Sequence, residues 1–464
     1  MKNQTFTGSD PTWANACVGE NGSPNYIQYS KGYSKAANLL LNNVLNTRGK
    51  EVDLYIYPIC FNMRHSIELR VKGAIQEITE LAKIKGKKLP TFNSIGSHDI
   101  GNIWRYFKEN SKILDIRFKI VNDKLDATIL DIAEIDPTGQ TFRYPSNNEN
   151  IKHLVDQKII NCAILKVKFN ELEKNLDNLI HLTDLLIDEY KLGTFTTKFS
   201  RTQIFQFVKE LPPIDQWNKS AFIERKNKLK ANYNLSNNDF SKITNQIKNN
   251  YELSHKIGLK KNLVFLSDCD VLEICDIWIT YFEPKFRDLY NQTDLTSEDN
   301  SSTPIEEWIK NAELHKKGMT LLENKLLVDY VADLQALYYL SIDQHQYSEN
   351  YMFRFKYFQN EAKYNDLSES LDHLLSKSTF LEELLKSLFF LNQRDLAERI
   401  IQIYDLETIF DFISQARLGK FFKHFELIRL LNLPLILIPP NLPLKREELH
   451  ESNIFIKFTA SPPL

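Results

Sequence analysis

The chain is short of the residues that build tight turns. It has 14 glycines in 464 residues, which speaks against Rossmann, P-loop and β-sandwich designs, since these place glycine at many fixed turns. Its five cysteines (17, 60, 162, 269 and 275) are an odd number with no CxxC pair, so free thiols in a reducing compartment are expected. Neither sign of charge prevails: 58 basic and 60 acidic residues leave a formal net charge of −2. A polyanion would therefore have to be met by a local patch. Long apolar runs are missing as well. The longest, Leu427 to Ile438, is interrupted by Arg429, Asn432 and Pro434 and stops at Pro439-Pro440, too short to span a bilayer. The first residues lack the apolar stretch of a signal peptide. The expectation is a soluble, cytoplasmic protein with no membrane partner. HExxH, GxxxxGKS/T and GxSxG do not occur, so common metalloprotease, P-loop and hydrolase signatures are missing. No metal or cofactor is expected.

What the chain does have is Leu, Ile, Lys, Asn and Glu, with apolar residues recurring every three or four positions. That is the pattern of amphipathic helices, and it predicts an all-α fold. The length suggests about two to four domains. Residues 1–30 read as an irregular arm containing Gly8, Pro11, Gly19, Gly22 and Pro24. Residues 31–193 read as a helical bundle, with helices over Tyr33–Asn46, from about Val52 or Leu54 to Ile84, from Ser97 or Asp99 onward, about Val121–Ile135, and Ile151–Leu192. Pro58 is placed near the first turn of the second helix, where a missing N–H is tolerated. Gly73 inside that helix costs ~1 kcal/mol against alanine and points to the close approach of another helix. A helical middle region covers 194–290. A polar stretch, Leu289–Thr303, leads into a C-terminal domain, 304–464, that reads as solenoid-like. Its helices are expected at Pro304–Leu314, Leu321–Leu340, Ser348–Ala362, Leu367–Leu391, Asp395–Ile413 and Leu418–Leu431, followed by a strand or strap at Ile454–Phe458.

Polarity is densest between Tyr57 and Lys72. On a helix, Arg64, Glu68 and Lys72 form one line at i, i+4, i+8 with His65 beside it, while Ile67, Val71, Ala74, Ile75 and Ile78 form an apolar stripe. Two further segments join this constellation, His98-Asp99 and Phe142-Arg143-Tyr144-Pro145. The latter follows the turn Asp136-Pro-Thr-Gly139 and reads as a short extended piece, with Arg143 facing away from its aromatic neighbours. Metal-free RNA cleavage, the activity implied by a family resemblance that these motifs carry, needs a base for the 2′-hydroxyl and cations for the phosphorane charge. His65 or His98 could be the base, because imidazole titrates near neutrality. Arg64, Arg143 and Lys72 could bind phosphate, with Tyr144 as a further substrate contact, and Glu68 could orient a histidine. The same residues also have a structural reading. Arg64–Glu68–Lys72 would then be an ion-pair ladder worth a few tenths of a kcal/mol at a surface, or a buried bridge fixing helix register. His98-Asp99 would be a helix cap, and Arg143 a loop anchor.

The series Tyr-Pro-x-x-Phe (57–61), Arg-His-x-Ile-Glu-Leu-x-x-Lys (64–72), His98-Asp99 opening a helix that contains Trp104, and Phe-Arg-Tyr-Pro (142–145) resembles bacterial proteins of the HEPN superfamily. The resemblance covers about residues 30–190. It implies a bundle of four or five helices, often dimeric, and in many members a metal-independent ribonuclease of toxin–antitoxin, CRISPR or phage-defence systems. Other members have lost catalysis and serve as scaffolds or partners. From it follow RNA or a nucleotide-like ligand as partner, and a homodimer through the N-terminal bundle. The family's nuclease signature is Arg-x4–6-His. Here Arg64 is followed directly by His65, and the family's spacing occurs instead at Arg417–His424.

Other signals are weaker. Asp268, Asp270, Glu273 and Asp276 gather acids on one helix without a histidine. The aromatic series Tyr338, Tyr339, Tyr347, Tyr351, Phe353, Phe355, Tyr357 and Phe358 could stack bases or form a helix seam. Basic runs at Lys83–Lys88 and Arg225–Lys230 could touch phosphate, and residues 235–258 have the outline of a helix-turn-helix.

Overall fold

The computed structural model describes residues 3–22, 24–147, 149–283, 304–342 and 347–419. As the periodicity predicts, the elements are helices, and no strand occurs among the described residues. The chain divides into two compact units, Met1–Thr194 and a second that begins at Phe195. The expected helix Leu418–Leu431, the linker Leu289–Thr303, the run Leu427–Ile438 and the strap Ile454–Phe458 lie wholly or mostly outside the described residues.

Among the described residues the first unit holds five α-helices: α1 (Tyr26–Asn46), α2 (Val52–Ile84), α3 (Ile100–Leu114), α4 (Phe118–Ile135) and α5 (Cys162–Lys191). Helix α1 starts earlier than Tyr33 because Asn25 caps it reciprocally with Gln28, satisfying two amides at the helix start. Helix α2 is the centre of the unit. Helices α1, α3 and α5 all pack on it, and α4 bridges α3 and α5. Pro58 lies beyond the first turn, inside α2. Gly73 has the predicted use: a Cβ there would lie 3.1 Å from Cγ1 of Ile27, at the start of α1. Asp99 caps α3 by accepting from the amide of Asn102 at 2.8 Å, and Ile100, Ile103, Trp104 and Phe107 are buried beneath it.

Two expectations fail here. Residues 151–161 are not helical; α5 begins at Cys162, where the Asn161 side chain accepts from the amides of Ala163 and Ile164. The chain before it is held in a closed loop by backbone bonds from Asn147 to Ile151 and from His153 to Pro145. Nor is Phe142–Tyr144 extended. The amides of Arg143 and Tyr144 both turn back to the carbonyl of Gln140 at 3.1 Å, and the turn lays Arg143 on Tyr144 instead of pointing it away, with the guanidinium 5.1 Å from the ring centre.

Among its described residues the second unit has two apolar cores. One gathers residues from Phe199 to Ile257, the other from Tyr251 to Ala416. In the second core, helix α12 (Val328–Ile342) is buried on most sides and packs against α13 (Glu349–Glu361), α14 (Leu367–Leu375) and α15 (Phe380–Phe390). Helix α12 thus packs on the three helices that follow it in the chain. The stretch 367–391 is two helices, α14 and α15, and 395–413 is one helix, α16 (Arg394–Tyr404), followed by a turn and the short α17 (Ile413–Arg417). No helix among the described residues is long and apolar enough to cross a membrane.

Candidate functional site

The line Arg64–Glu68–Lys72 is buried, each residue under 5% exposed. Glu68 stands at its centre. Its carboxylate accepts from Arg64 and, at 2.8 Å, from Lys72. Burial alone would raise its pKa, but the hydrogen bond from Lys72 and the charge of Arg64 outweigh that, so the carboxyl titrates below its ordinary range. Arg64 also ties three segments together. Its Nε donates to the carbonyl of Asp136 at 3.2 Å, and its outer nitrogen to the carbonyls of Pro137, at 2.7 Å, and His98. Gly139, at φ +77°, lies against this guanidinium, and a Cβ there would stand 3.4 Å from its Cζ. The turn Pro137-Thr-Gly139 is thus fitted to Arg64, and the planar fork is committed to protein acceptors.

Both candidate histidines use the same carboxylate. His98 places Nδ1 3.1 Å from Oε1 of Glu68 while its side chain stays 62% exposed. His65 places Nδ1 3.9 Å from the other oxygen, with its ring stacked on Phe61 and edge-on to Tyr33. Burial lowers the pKa of His65, and the positive charges of Arg64, Lys72 and Arg143 add to this against the opposing pull of Glu68. His65 is therefore neutral around neutral pH and able to accept a proton. Arg143 lies 5.7 Å from the ring centre of Phe61, on which His65 also stacks. Its guanidinium donates to the Tyr144 hydroxyl at 3.2 Å, and Tyr144 is half exposed. The fold thus gathers Arg64, His65, Glu68, Lys72 and His98 around one carboxylate, with Arg143 and Tyr144 reaching them through Phe61.

Sequence reasoning missed Tyr33 and Phe61, which hold His65 in place. It also missed Tyr57, Lys152, His153 and Lys158, which with Arg143 and Tyr144 line a cleft of about 1220 Å³. Reading 151–192 as one helix hid the last three. The clue was Asn161, a residue type favoured at helix N-caps.

The remaining candidates resolve structurally. Asp270 completes a cap with Ser267, and Lys325 bridges it to Glu273. No group of three or more potential metal ligands occurs among the described residues. Tyr338, Tyr347, Tyr351 and Phe355 are core residues, Tyr339 and Phe358 are partly buried, and Phe353 and Tyr357 are exposed. Within 235–258 the second helix, α9 (Tyr251–Lys256), is a short segment with Tyr251, Glu252, Leu253 and Ser254 buried, so it presents no helix face to a DNA groove. Of the basic runs, Lys85 and Lys87 donate to the carbonyls of Leu114 and Ile113, and Arg225 donates to that of Glu210. Arg417 is clamped by Glu398 and Glu407, and His424 lies outside the described residues. In comparisons with protein-family models, curated proteins and solved structures, none matches this chain.

Proposed function

We propose that the first unit is an RNA-directed effector that cleaves RNA without a metal ion, as the resemblance to HEPN proteins also suggests. The observation that carries this reading is the buried, ionised Glu68 shared by two histidines, one neutral and one exposed. In the proposed reaction neutral His65 takes the proton of the 2′-hydroxyl as the O2′–P bond forms, and His98 protonates the departing 5′-oxygen as the P–O5′ bond breaks. The products are a 2′,3′-cyclic phosphate and a 5′-hydroxyl. Glu68 orients both rings, and Arg143 binds the phosphate. Arg64 and Lys72 keep Glu68 ionised and do not touch substrate. In a cell such cleavage would serve growth arrest or phage defence.

A second reading is a non-catalytic ligand- or protein-binding module using the same polar pocket. It is favoured by the commitment of Arg64 to backbone carbonyls, which makes the ladder a scaffold. RNA integrity in the presence of EDTA separates the two. The nuclease reading expects cleavage by the full chain and its loss in His98→Ala, with stability changed by less than about 0.5 kcal/mol, as for an exposed side chain. Equal cleavage by both proteins would discard the His98 assignment, and intact RNA with each would discard the nuclease reading in favour of the second.

A further inference from the structure

The cleft lined by Arg143 and Tyr144 has a character of its own. The start of α2 and the chain from Thr141 to Ile160 enclose it. Arg143, Lys152 and Lys158 face it, against a single carboxylate, that of Asp53. Lys152 and Lys158 are exposed and make no ion pair among the described residues. Between these cations the walls are apolar or aromatic, including Ile56, Phe142 and Ile160. Tyr57, Tyr144 and Ile159 remain 48%, 48% and 83% exposed, a cost to solvation that no packing within the unit relieves. His153, also in the lining, has its Nε2 buried without a hydrogen-bond partner. A buried polar atom left open is costly in a folded chain, and a ligand atom would satisfy it.

The cleft is built in advance. Backbone bonds of 3.0 and 3.2 Å close the loop between Pro145 and His153. Beyond it Leu154, a lining residue, is held at φ +57°, a conformation unfavourable for a branched side chain that persists only where its surroundings impose it.

We infer that this cleft binds an amphiphilic organic anion, with an apolar or aromatic body against Tyr57, Phe142 and Ile159 and a phosphate or carboxylate between Lys152 and Lys158. The inference stands whether or not the first unit cleaves RNA. A nucleoside monophosphate and a medium-chain fatty carboxylate both carry this chemistry, and competition separates them.

The test uses the full chain and 8-anilinonaphthalene-1-sulfonate, an aromatic anion whose fluorescence reports binding. One saturable site per chain is expected. The double variant Lys152→Glu/Lys158→Glu should weaken binding by about tenfold or more, as expected when charge-assisted contacts are lost, with an unchanged melting temperature. Lys152→Arg/Lys158→Arg should retain it. Displacement by adenosine monophosphate would assign a nucleotide, and displacement by decanoate an aliphatic acid. Undiminished binding by the charge-reversed variant overturns the proposal. So does failure of both competitors, or equal displacement by inorganic phosphate, which has no apolar body. His98→Ala should bind the probe as tightly as the wild type, so a failed RNA assay and a failed binding assay remain distinguishable.

Discussion

Arg64 shows what a single residue does here. Its guanidinium, itself buried, serves Glu68 and the carbonyls of Asp136, Pro137 and His98. Truncating one partner of a buried pair leaves the other charge without compensation, so Arg64→Ala is expected to cost about 3–5 kcal/mol. The check is the shift in urea-unfolding midpoint. Lysine is not expected to rescue it, because one ammonium cannot span acceptors on three segments. Gly139→Ala is expected to cost at least about 1 kcal/mol by the same assay. It would impose a positive φ on a residue with a Cβ and press that Cβ on Arg64. That Arg64 and Glu68 would meet was legible in their spacing, since i and i+4 adjoin on any helix. That the pair would be buried under the Asp136–Pro137 turn was not, because residues 64 and 137 become neighbours only when α2, α3 and α4 have packed.

Between elements, two buried clusters set opposite pH dependences. At the turn between α3 and α4, Asp115 is fully buried but held down to about 2, its desolvation overcome by the paired Arg117, which also bonds Glu189 on α5. A depressed carboxyl stabilises the fold above its unfolded value of 3.8 and loses that contribution as pH falls toward 2. Glu77 on α2 behaves in the reverse sense. Burial, with Asp184 of α5 opposite, raises it to about 7, and one of its oxygens is buried without a partner. Glu80 on α2 and Asp188 and Lys191 on α5 line the same hollow. A raised carboxyl contributes fully below its unfolded value of 4.5, and that contribution is lost as pH rises through 7. Glu77→Gln is therefore expected to raise the melting temperature at pH 8, leave it nearly unchanged at pH 4, and flatten the profile between. A thermal-melt series across that range checks this, and an unchanged profile would discard the role given to Glu77. Asp115 and Arg117 are two residues apart, but Arg117–Glu189 and Glu77–Asp184 join different helices or turns, so local spacing gave no hint of those.

At the level of the whole molecule, the first unit buries an apolar core around α2, and the described residues of the second bury two of their own. Units with their own cores are expected to unfold as separate transitions. In scanning calorimetry Arg64→Ala should lower one transition and leave the other in place. Trp278→Ala, which removes a ring buried in the second unit and bonded to the carbonyl of Leu375, should do the converse. A single transition shifted by both substitutions would show coupling strong enough to make them one folding unit. The sequence by itself determined the helical class, the approximate position of α2, a cap at Ser97 or Asp99 and the ladder on one helix face, because each follows from interactions within a few residues along the chain. Only the tertiary structure decided that the ladder is buried, that His65 and His98 share Glu68, that residues 141–160 close a cleft with the start of α2, and that α12 packs against the three helices that follow it. Those outcomes depend on which helix faces meet across long stretches of chain, and a periodic pattern states that a face is apolar without stating what covers it.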